Sequence, residues 1–433
     1  MIAEIPTSGN LDLGPARGDN GNLSGSHTVT LGSSILLFHA DRDLMKVLYC
    51  VLDNRFGGPH RRAHATARQL RQHGVETVFL LGHKSGPVWN PQDFPALPLR
   101  HIQCFSRRRP LLNLLKFWLV LPLTLLRICR IIRSRRIDIV HVDGITNFAP
   151  AIAARLTRRP VVWLYNDHLP RPLQWFLLPL ATTLAERVIV QGKALKDART
   201  EGRPRLARKT CVIHTGLDAR EFDPTRYDDQ NTRRLREELN IPATSPLIGT
   251  IGNLNRFKGH DYFLQAAQQI KTEAPEAKFL IVGRKLETDT AYWEHLQQLT
   301  ADLGLTDDVI FTGFQEDIPR TLSILDVFVL SSVLESCPCV LLEAMAMKAP
   351  VVTTDVGAAS ELVLEGQTGR VVPPRNASAL AQAVLDTLAA APEQTRETTE
   401  AARKRVEKEF GIDKIATQQR AIYESLGSRP ATP

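Results

Sequence analysis

The chain has 433 residues, of which 43% are hydrophobic and 23% are charged. This is the composition of an ordinary globular protein with two or three domains, and it excludes a collagen, a stapled mini-protein and a wholly disordered chain. The 54 Lys and Arg residues against 46 Asp and Glu give a net charge of +8.

The charge is distributed unevenly along the chain. Residues 1–230 hold 33 basic and 19 acidic side chains, a net charge of +14, whereas residues 231–433 hold 21 and 27, a net charge of −6. A basic first half predicts an anionic partner for that half, and nucleic acid, anionic lipid or a phosphorylated substrate would all fit. The six cysteines form no C-x-x-C pair, which favours reduced thiols in a cytosolic protein.

The N-terminal segment 1–33 is rich in Gly, Ser, Asn and Asp and has no apolar period, which predicts a mobile tail. It lacks the cationic start and apolar run of a signal peptide. The longest apolar stretch elsewhere, Phe117–Leu126, is too short to cross a bilayer as a helix. We therefore expect neither a signal peptide nor a transmembrane helix.

A first alternation of strands and helices begins with the apolar run MKVLYCVLD at Met45. Further strands are predicted at Val75–Leu81, Leu99–Cys104, Ile137–Val142, Val161–Tyr165 and Val188–Gln191. Helices are predicted at Pro59–His73, Leu111–Arg136, Phe148–Leu156 and Pro172–Ala185. Strands and helices that alternate at this spacing indicate a parallel sheet covered by helices on both faces.

A second alternation starts at Leu247, after a polar helix and linker. Its strands are LIGTIGNL, KFLIVG, DVIFTG, VFVLSS and PVVTTD. The predicted fold class is α/β, with two tandem doubly wound, Rossmann-like domains that face each other across a cleft. The predicted units are domain 45–228, linker 229–245, domain 246–403 and a single helix, 404–426, that can pack back on the first domain.

The stretch 107–136 combines arginine clusters at both ends with a wide apolar face around Pro122. This pattern predicts an interfacial helix lying on an anionic membrane. The alternative is a buried helix that covers the first sheet. Nucleic-acid binding is disfavoured, because the arginines border leucines rather than interleaved aromatic and polar side chains.

The richest motif is LSSVLESCPCVLLEAMAMKAP, which follows a predicted strand ending at Ser332. Glu335 lies in the entry loop and Glu343 in the next helix, with Pro338 suited to the first helical turn. A helix N-terminus at this place offers free N–H groups to a phosphate. Two glutamates eight positions apart are common, so the alternative is a solvated carboxylate beside an ordinary amphipathic helix.

In its context, this segment resembles the retaining GT-B-fold glycosyltransferases of family 4. The other matching pieces, in chain order, are Gly57-Gly58-Pro59, DIVHVDG with His141, VIHTGLDAREFDP, GTIGNLNRFKGHDYFLQAA, LIVG at Gly283 and IFTGF at Gly313. The resemblance covers residues 45–426.

The resemblance implies a role for each residue that matches the family pattern. Glu335 would contact donor-sugar hydroxyls and Glu343 the ribose. Lys258 would neutralise the donor diphosphate. Backbone near the sugar, phosphate and base would come from Ser336, Cys337, Cys339, Val340, Gly57, Gly58, Gly283, Gly313 and Phe314.

Two positions depart from the family pattern or leave it ambiguous. The family has Arg five residues before the lysine, whereas this chain has Asn253, and Arg256 is a candidate substitute. In VVWLYNDHLP, both Asn166 and His168 are candidates for the family histidine that assists the acceptor or donor sugar. For His168, a loop histidine without a role is an equal alternative.

No metal or cofactor is expected. Metal-dependent transferases use an Asp-x-Asp pair with Mg²⁺, and the only such pair here, Asp41 and Asp43, precedes the first strand. The function implied is metal-independent transfer from a nucleotide-diphospho-sugar to a lipid-linked or saccharide hydroxyl, with retention, in bacterial polysaccharide or lipopolysaccharide assembly. A cytoplasmic enzyme, peripheral on the inner face of the membrane, is expected. The alternatives are an inactive nucleotide-sugar-binding scaffold and a sugar-nucleotide epimerase.

Overall fold

The computed structural model describes residues 44–52, 58–82, 94–99, 110–166, 171–286 and 289–427. Within them the chain forms two parallel sheets, one of seven strands and one of six. Each sheet is covered by helices on both faces. The predicted α/β class with two tandem Rossmann-like domains is confirmed. The predicted tail, Gly57, His168 and the Asp41–Asp43 pair lie outside the described residues.

The first sheet has the strand order β3-β2-β1-β4-β5-β6-β7. Its strands are β1 Met45–Val51, β2 Val75–Gly82, β3 Ala96–Leu99, β4 Ile139–Asp143, β5 Val161–Leu164, β6 Arg187–Val190 and β7 Thr210–Val212. Its helices are α1 Gly58–Gln72, α2 Pro110–Ser134, α3 Phe148–Leu156, α4 Arg171–Leu184, α5 Lys193–Thr200 and α6 Pro204–Lys209. The central strands are buried on both faces, as continuous apolar runs require.

The second sheet has the order β10-β9-β8-β11-β12-β13. Its strands are β8 Leu247–Ile251, β9 Lys278–Val282, β10 Val309–Gly313, β11 Val327–Leu330, β12 Val351–Thr354 and β13 Arg370–Val372. The helices are α7 Asp229–Glu238, α8 His260–Glu273, α9 Thr290–Asp302, α10 Ile318–Leu322, α11 Cys339–Ala346, α12 Ala359–Leu362 and α13 Ala377–Leu388. In both sheets the order reverses beside the first strand, and such a switch point opens a crevice at the carboxyl ends of the strands.

The C-terminal segment is two helices, α14 Pro392–Glu409 and α15 Ile412–Gly427, and not the single predicted helix 404–426. The break occurs because the backbone there pairs with the segment between the domains: Leu217 N donates to Phe410 O at 2.9 Å, and Ile412 N donates to Leu217 O at 3.0 Å. These main-chain groups are therefore committed to a strand-like bridge.

Helix α15 packs on the first sheet beside α1. Its Tyr423 hydroxyl lies 2.6 Å from Nδ1 of His141, a fully buried residue of β4. Burial lowers the pKa of His141 to about 3, so the ring is neutral. His141 belongs to the segment DIVHVDG, one of the pieces that match the family pattern. Its contact with Tyr423 joins helix α15 to the first domain.

Candidate active site

The turn after β8 carries the candidate phosphate-binding lysine. Asn255 accepts a hydrogen bond from Phe257 N at 3.0 Å, which closes the short 3-10 turn Arg256–Lys258. Gly259 follows with φ of +63°, and a Cβ there would lie 2.1 Å from the carbonyl oxygen of Ser331. Only glycine tolerates both the left-handed backbone and this approach. The turn is therefore held directly against the end of β11.

Lys258 and Glu335 form an ion pair at this point. Nζ of Lys258 lies 2.6 Å from Oε1 of Glu335, and Ser332 Oγ donates to the same oxygen at 2.8 Å. The Lys258 and Glu335 side chains are 24% and 14% exposed, so the pair is partly buried and still reached by solvent. The structure thus brings together the two residues that the sequence placed in one site.

Glu343 is the second carboxylate of the motif, on α11. Burial raises its pKa to about 7, while Arg61 and Lys258 act to lower it. Arg61 is exposed and belongs to the first turn of α1 in the first domain. The carboxyl of Glu343 therefore feels the charge of one cation from each domain, and burial favours its protonated form more than in a free glutamate.

The residues between the glutamates form the loop and first turn of α11. Burial raises the pKa of the Cys337 thiol to about 12 and also raises that of Cys339, so both are thiols and not thiolates. Ser336 and Val340 are half-buried. Contact between the backbone of this loop and a donor remains a prediction.

Three glycines join the carboxyl ends of β8, β9 and β10. Gly283 N donates to Gly313 O at 2.8 Å, and a Cβ on Gly283 would lie 1.9 Å from the carbonyl oxygen of Gly252. Gly283 is thus required by backbone packing. The ring of Phe314 is 46% exposed, with the Arg284 guanidinium 4.7 Å from its centroid.

Arg256 and Asn253 stand apart from the ion pair. Both are exposed, and the Arg256 guanidinium lies 5.2 Å from the ring centroid of Tyr292 on α9. In the part of the chain that is described, no hydrogen bond or ion pair joins either residue to Lys258 or Glu335. The expectation that Arg256 substitutes for the family arginine gains no support from this geometry.

The first domain contributes a polar wall, of which the sequence analysis named only Asn166. Arg62 forms an ion pair with Asp143 at 2.6 Å and donates to Gln191 at 3.1 Å. The same Gln191 oxygen accepts from Asn166 Nδ2 at 2.7 Å, and the carbonyl of Asn166 accepts from Ser336 Oγ at 2.6 Å. Asp143 ends β4 and Gln191 follows β6, so the rule that sites form at carboxyl strand ends could have found them.

Of the predicted first-domain residues, only some can be located. Gly58 begins α1, and a Cβ added to it would meet nothing within 4 Å. Asn166 lies on the polar wall, whereas Gly57 and His168 are outside the described residues. No group of three or more His, Cys, Asp or Glu residues that could hold a metal ion occurs in the described ranges.

Two family profiles match the chain. The one described as "Glycosyl transferases group 1" matches residues 231–405, and "Glycosyltransferase Family 4" matches residues 56–221. Among solved structures, a glycosyltransferase from Rickettsia africae superposes with a TM-score of 0.77 at 21% identity, over 90% of this chain and 100% of that chain. Anabaena HepE in complex with UDP and glucose gives 0.75 at 24% identity, over 88% of this chain and 100% of that chain. These likenesses establish the two-domain GT-B fold.

Curated relatives agree with these matches. The chain is 31% identical to the alpha-D-kanosaminyltransferase of Streptomyces kanamyceticus over 66% of its own length and 76% of that protein. It is 30% identical to the lipopolysaccharide core biosynthesis mannosyltransferase LpsB of Rhizobium meliloti over 50% of its own length and 61% of that protein. A GDP-mannose-dependent phosphatidylinositol monomannoside mannosyltransferase of Mycolicibacterium smegmatis is 29% identical, over 55% of this chain and 63% of that relative. The predicted resemblance is confirmed, and the chain belongs to the group 1 glycosyltransferases of family 4.

Proposed function

We propose that this protein transfers a sugar from a nucleotide-diphospho-sugar to a hydroxyl acceptor, with retention at the anomeric carbon and without a metal ion. The observation that carries the proposal is the Lys258–Glu335 pair at 2.6 Å, beside the partly buried Glu343. It places one cation and two carboxylates at the carboxyl ends of the second sheet, where a ligand of such a fold binds.

The chemistry requires these residue types. As the bond to the donor sugar breaks, the nucleoside diphosphate gains negative charge and the anomeric carbon gains positive charge. Lys258, held in place by Glu335 and the turn at Gly259, would stabilise the departing diphosphate through a preorganised charge. Glu335 would orient sugar hydroxyls, because an ionised carboxylate is an acceptor of hydrogen bonds.

No protein nucleophile is required in this mechanism. The leaving diphosphate can accept the proton of the incoming hydroxyl on the face from which it departs, so the new bond keeps the configuration of the old one. This mechanism needs an excess of positive charge around the diphosphate. Lys258 is already balanced by Glu335, so we assign the second cation to Arg61, whose charge acts on Glu343 from the first domain.

The names of relatives support the substrate classes. Anabaena HepE is described in complex with UDP and glucose, and the mycobacterial relative as GDP-mannose-dependent. A nucleotide-diphospho-sugar donor follows for this chain as a proposal. The acceptor is proposed to be a lipid-linked or saccharide hydroxyl in bacterial polysaccharide or lipopolysaccharide assembly, as the name of the Rhizobium relative suggests.

Helix α2 offers a surface for such an acceptor. One face packs into the core through Phe117, Leu121 and Ile128, whereas Leu119 and Leu123 on the other face are both 69% exposed. Trp118, Val120 and Leu126 are exposed beside them, so five of the ten exposed large hydrophobic residues of the described chain lie within nine positions. Exposed Arg127, Arg130 and Arg133 follow them. An apolar patch bordered by arginines suits an anionic bilayer surface.

No described helix meets the length and apolarity needed to cross a membrane. From the exposed apolar and arginine side chains of α2, we propose peripheral contact of this helix with the inner face of the cytoplasmic membrane. In vesicle flotation, the wild-type protein should bind phosphatidylglycerol vesicles and not phosphatidylcholine vesicles, and a Leu119→Asp, Leu123→Asp variant should lose binding. Leu156→Asp, which changes a leucine on α3 that is 60% exposed, is the matched control. Unchanged binding by the double variant would refute the surface.

The donor and the metal requirement are tested together. Purified protein with EDTA is incubated with UDP-, GDP- and ADP-sugars, and the release of nucleoside diphosphate and the thermal stabilisation by each donor are measured. We expect one donor class to stabilise the protein and be turned over without metal. Turnover that appears only after Mg²⁺ is added would contradict the proposed mechanism, in which Lys258 and Arg61 stabilise the diphosphate in place of a metal ion.

Mutation of Glu335 separates the transferase from a scaffold. A Glu335→Gln variant should lose transfer while it still binds the free nucleoside diphosphate, because the nucleotide contacts are assigned to Lys258, Arg61 and Glu343. A protein whose wild-type form binds donor without turnover would instead be a scaffold. An epimerase would convert the donor sugar without an acceptor.

A further inference from the structure

A short segment of the second domain, residues 357–361, contacts both the first domain and the loop before α11 that carries Glu335 and Ser336, which we call the donor loop. Its last residue, Glu361 on α12, directs its carboxylate into the first domain. Oε1 accepts hydrogen bonds from the backbone N–H groups of Lys193 at 2.6 Å and Ala194 at 3.2 Å, and Oε2 lies 2.9 Å from Nε2 of His214. The Glu361 and His214 side chains are 17% and 21% exposed. None of these residues belongs to the catalytic machinery described above.

The start of the same segment supports the donor loop. Gly357 has φ of +59°, and a Cβ there would lie 2.4 Å from the carbonyl oxygen of Glu335 and 2.6 Å from that of Ser336. Ala358 N donates to Ser336 O at 2.8 Å. The backbone that presents the Glu335 side chain therefore rests on residues only a few positions before Glu361.

The carboxylate suits its first-domain partners. Lys193 and Ala194 begin α5, whose first amides have no acceptor within the helix, and a negative charge is stabilised at that end. Hydrogen bonds from backbone N–H to an ionised carboxylate are among the strong ones. Close packing supports them, because a Cβ on Gly192 would lie 3.0 Å from Ala358 Cβ. This is a specific contact between the domains.

We propose that Glu361 is a positioning residue that sets the placement of the first domain relative to the donor loop. Glu361 binds the N-terminus of α5 in the first domain, and the rest of segment 357–361 contacts the backbone of Glu335 and Ser336. With the first domain in this position, Ser336 Oγ donates a second hydrogen bond between the domains, to the carbonyl oxygen of Asn166. The part of this inference that concerns turnover rests on the proposed function.

The test compares Glu361→Ala and Glu361→Gln with the control Glu365→Gln. Glu365 accepts the Val371 amide within the second domain, so it matches the chemistry without joining the domains. For each variant and the wild type, we would measure kcat and KM of transfer, Kd for UDP and GDP, and the melting temperature. Solution scattering would give the radius of gyration of each protein. Small misplacements of reacting groups cost about 100-fold in rate.

We expect Glu361→Ala to lower kcat by about 10- to 100-fold and to change the radius of gyration. The nucleotide Kd should rise no more than it does in Arg61→Met, since Arg61 is the one assigned nucleotide contact from the first domain, whereas Lys258 and Glu343 belong to the second. Glu361→Gln keeps one oxygen for the two N–H groups and should recover part of kcat. The control should behave as wild type.

Three results would overturn the proposal. One is a kcat for Glu361→Ala equal to that of the control. The second is a parallel loss of kcat and melting temperature together with a nucleotide affinity below that of Arg61→Met, which would make Glu361 a residue that only maintains the fold. If the wild type transfers no sugar, the proposed function fails, but the scattering still decides: an unchanged radius of gyration in Glu361→Ala refutes the positioning role.

Discussion

Replacement of Lys258 by methionine tests the centre of the proposed mechanism. Methionine retains an unbranched apolar chain but lacks the Nζ that lies 2.6 Å from Glu335. The carboxylate of Glu335 would keep its hydrogen bond from the Ser332 hydroxyl at 2.8 Å and would lose its counter-charge. Two effects follow, one on the fold and one on the reaction.

The two effects have different sizes. Loss of a charge-assisted contact in a partly buried pair should cost about 2 kcal/mol of unfolding free energy. For a domain of this size, that lowers the melting temperature by roughly 4–8 °C. Loss of one preorganised group facing the leaving charge should cost about 3–4 kcal/mol of transition-state stabilisation, or roughly 100- to 1,000-fold in kcat. The loss of activity should therefore exceed what instability explains.

The assay is release of nucleoside diphosphate at a temperature below the measured melting temperatures of both variants, with the donor identified in the screen. The control is Lys271→Met, because Lys271 pairs with Asp308 at 3.0 Å and its side chain is 22% exposed, close to the 24% of Lys258. Asp308 keeps a second cation, Lys278 at 2.8 Å, so Lys271→Met should lose less stability than Lys258→Met, and only Lys258→Met should lose turnover. Wild-type turnover in Lys258→Met would refute the assignment of the phosphate cation.

Three further results are expected. Because burial raises the pKa of Glu343 to about 7 from 4.5, the ionised form is disfavoured in the fold, so the contribution of Glu343 to stability should fall by up to about 3 kcal/mol as pH rises from 4.5 through 7. Urea unfolding measures this contribution as the difference between wild type and Glu343→Gln, and a difference that does not change with pH would contradict it. Gly283→Ala places a Cβ 1.9 Å from a backbone oxygen and should lower the melting temperature sharply, whereas Gly58→Ala, with open space, should not. Arg61→Met should weaken UDP or GDP binding in calorimetry at least tenfold, whereas Arg68→Met, an exposed arginine on the same helix that pairs with Glu221, should leave it unchanged; equal affinities would remove Arg61 from the site.

Much of the fold was predictable because parallel strands buried on both faces are continuous apolar runs. The predicted bounds of α3, Phe148–Leu156, agree with the structure. Those of β2 differ from it by one residue at the end of the strand, and those of α1 by one residue at each end. The elements that were missed are short or strongly charged. Helices α5 and α6 and strand β13, Arg370–Val372, carry too few apolar residues to show a period.

The division of the C-terminal helix could not be predicted for a different reason. The amphipathic period runs on either side of Phe410 and Gly411, so the sequence reads as one helix. The break depends on hydrogen bonds between this backbone and Leu217, almost two hundred positions earlier in the chain. No local propensity records such a pairing, because its energy belongs to the tertiary contact.

The same distinction applies to the site. The sequence by itself determined the family, the two sheets and the residues in local motifs, Lys258 with Gly259 and Glu335 with Glu343, because a turn or helix start needs particular residues at fixed spacing. Only the tertiary structure decided which other side chains meet them. Arg256 is two residues from Lys258, yet its guanidinium stacks on Tyr292.

Residues far apart in the chain complete the cleft. Arg62 reaches Asp143 across 81 positions, and Glu361 reaches Lys193 across 168. These contacts are non-local, and a single polar residue after a strand looks the same whether it binds a partner or faces water. The physical reason is that the energy of such a pair depends on its burial and its partner, which exist only after the two domains have packed.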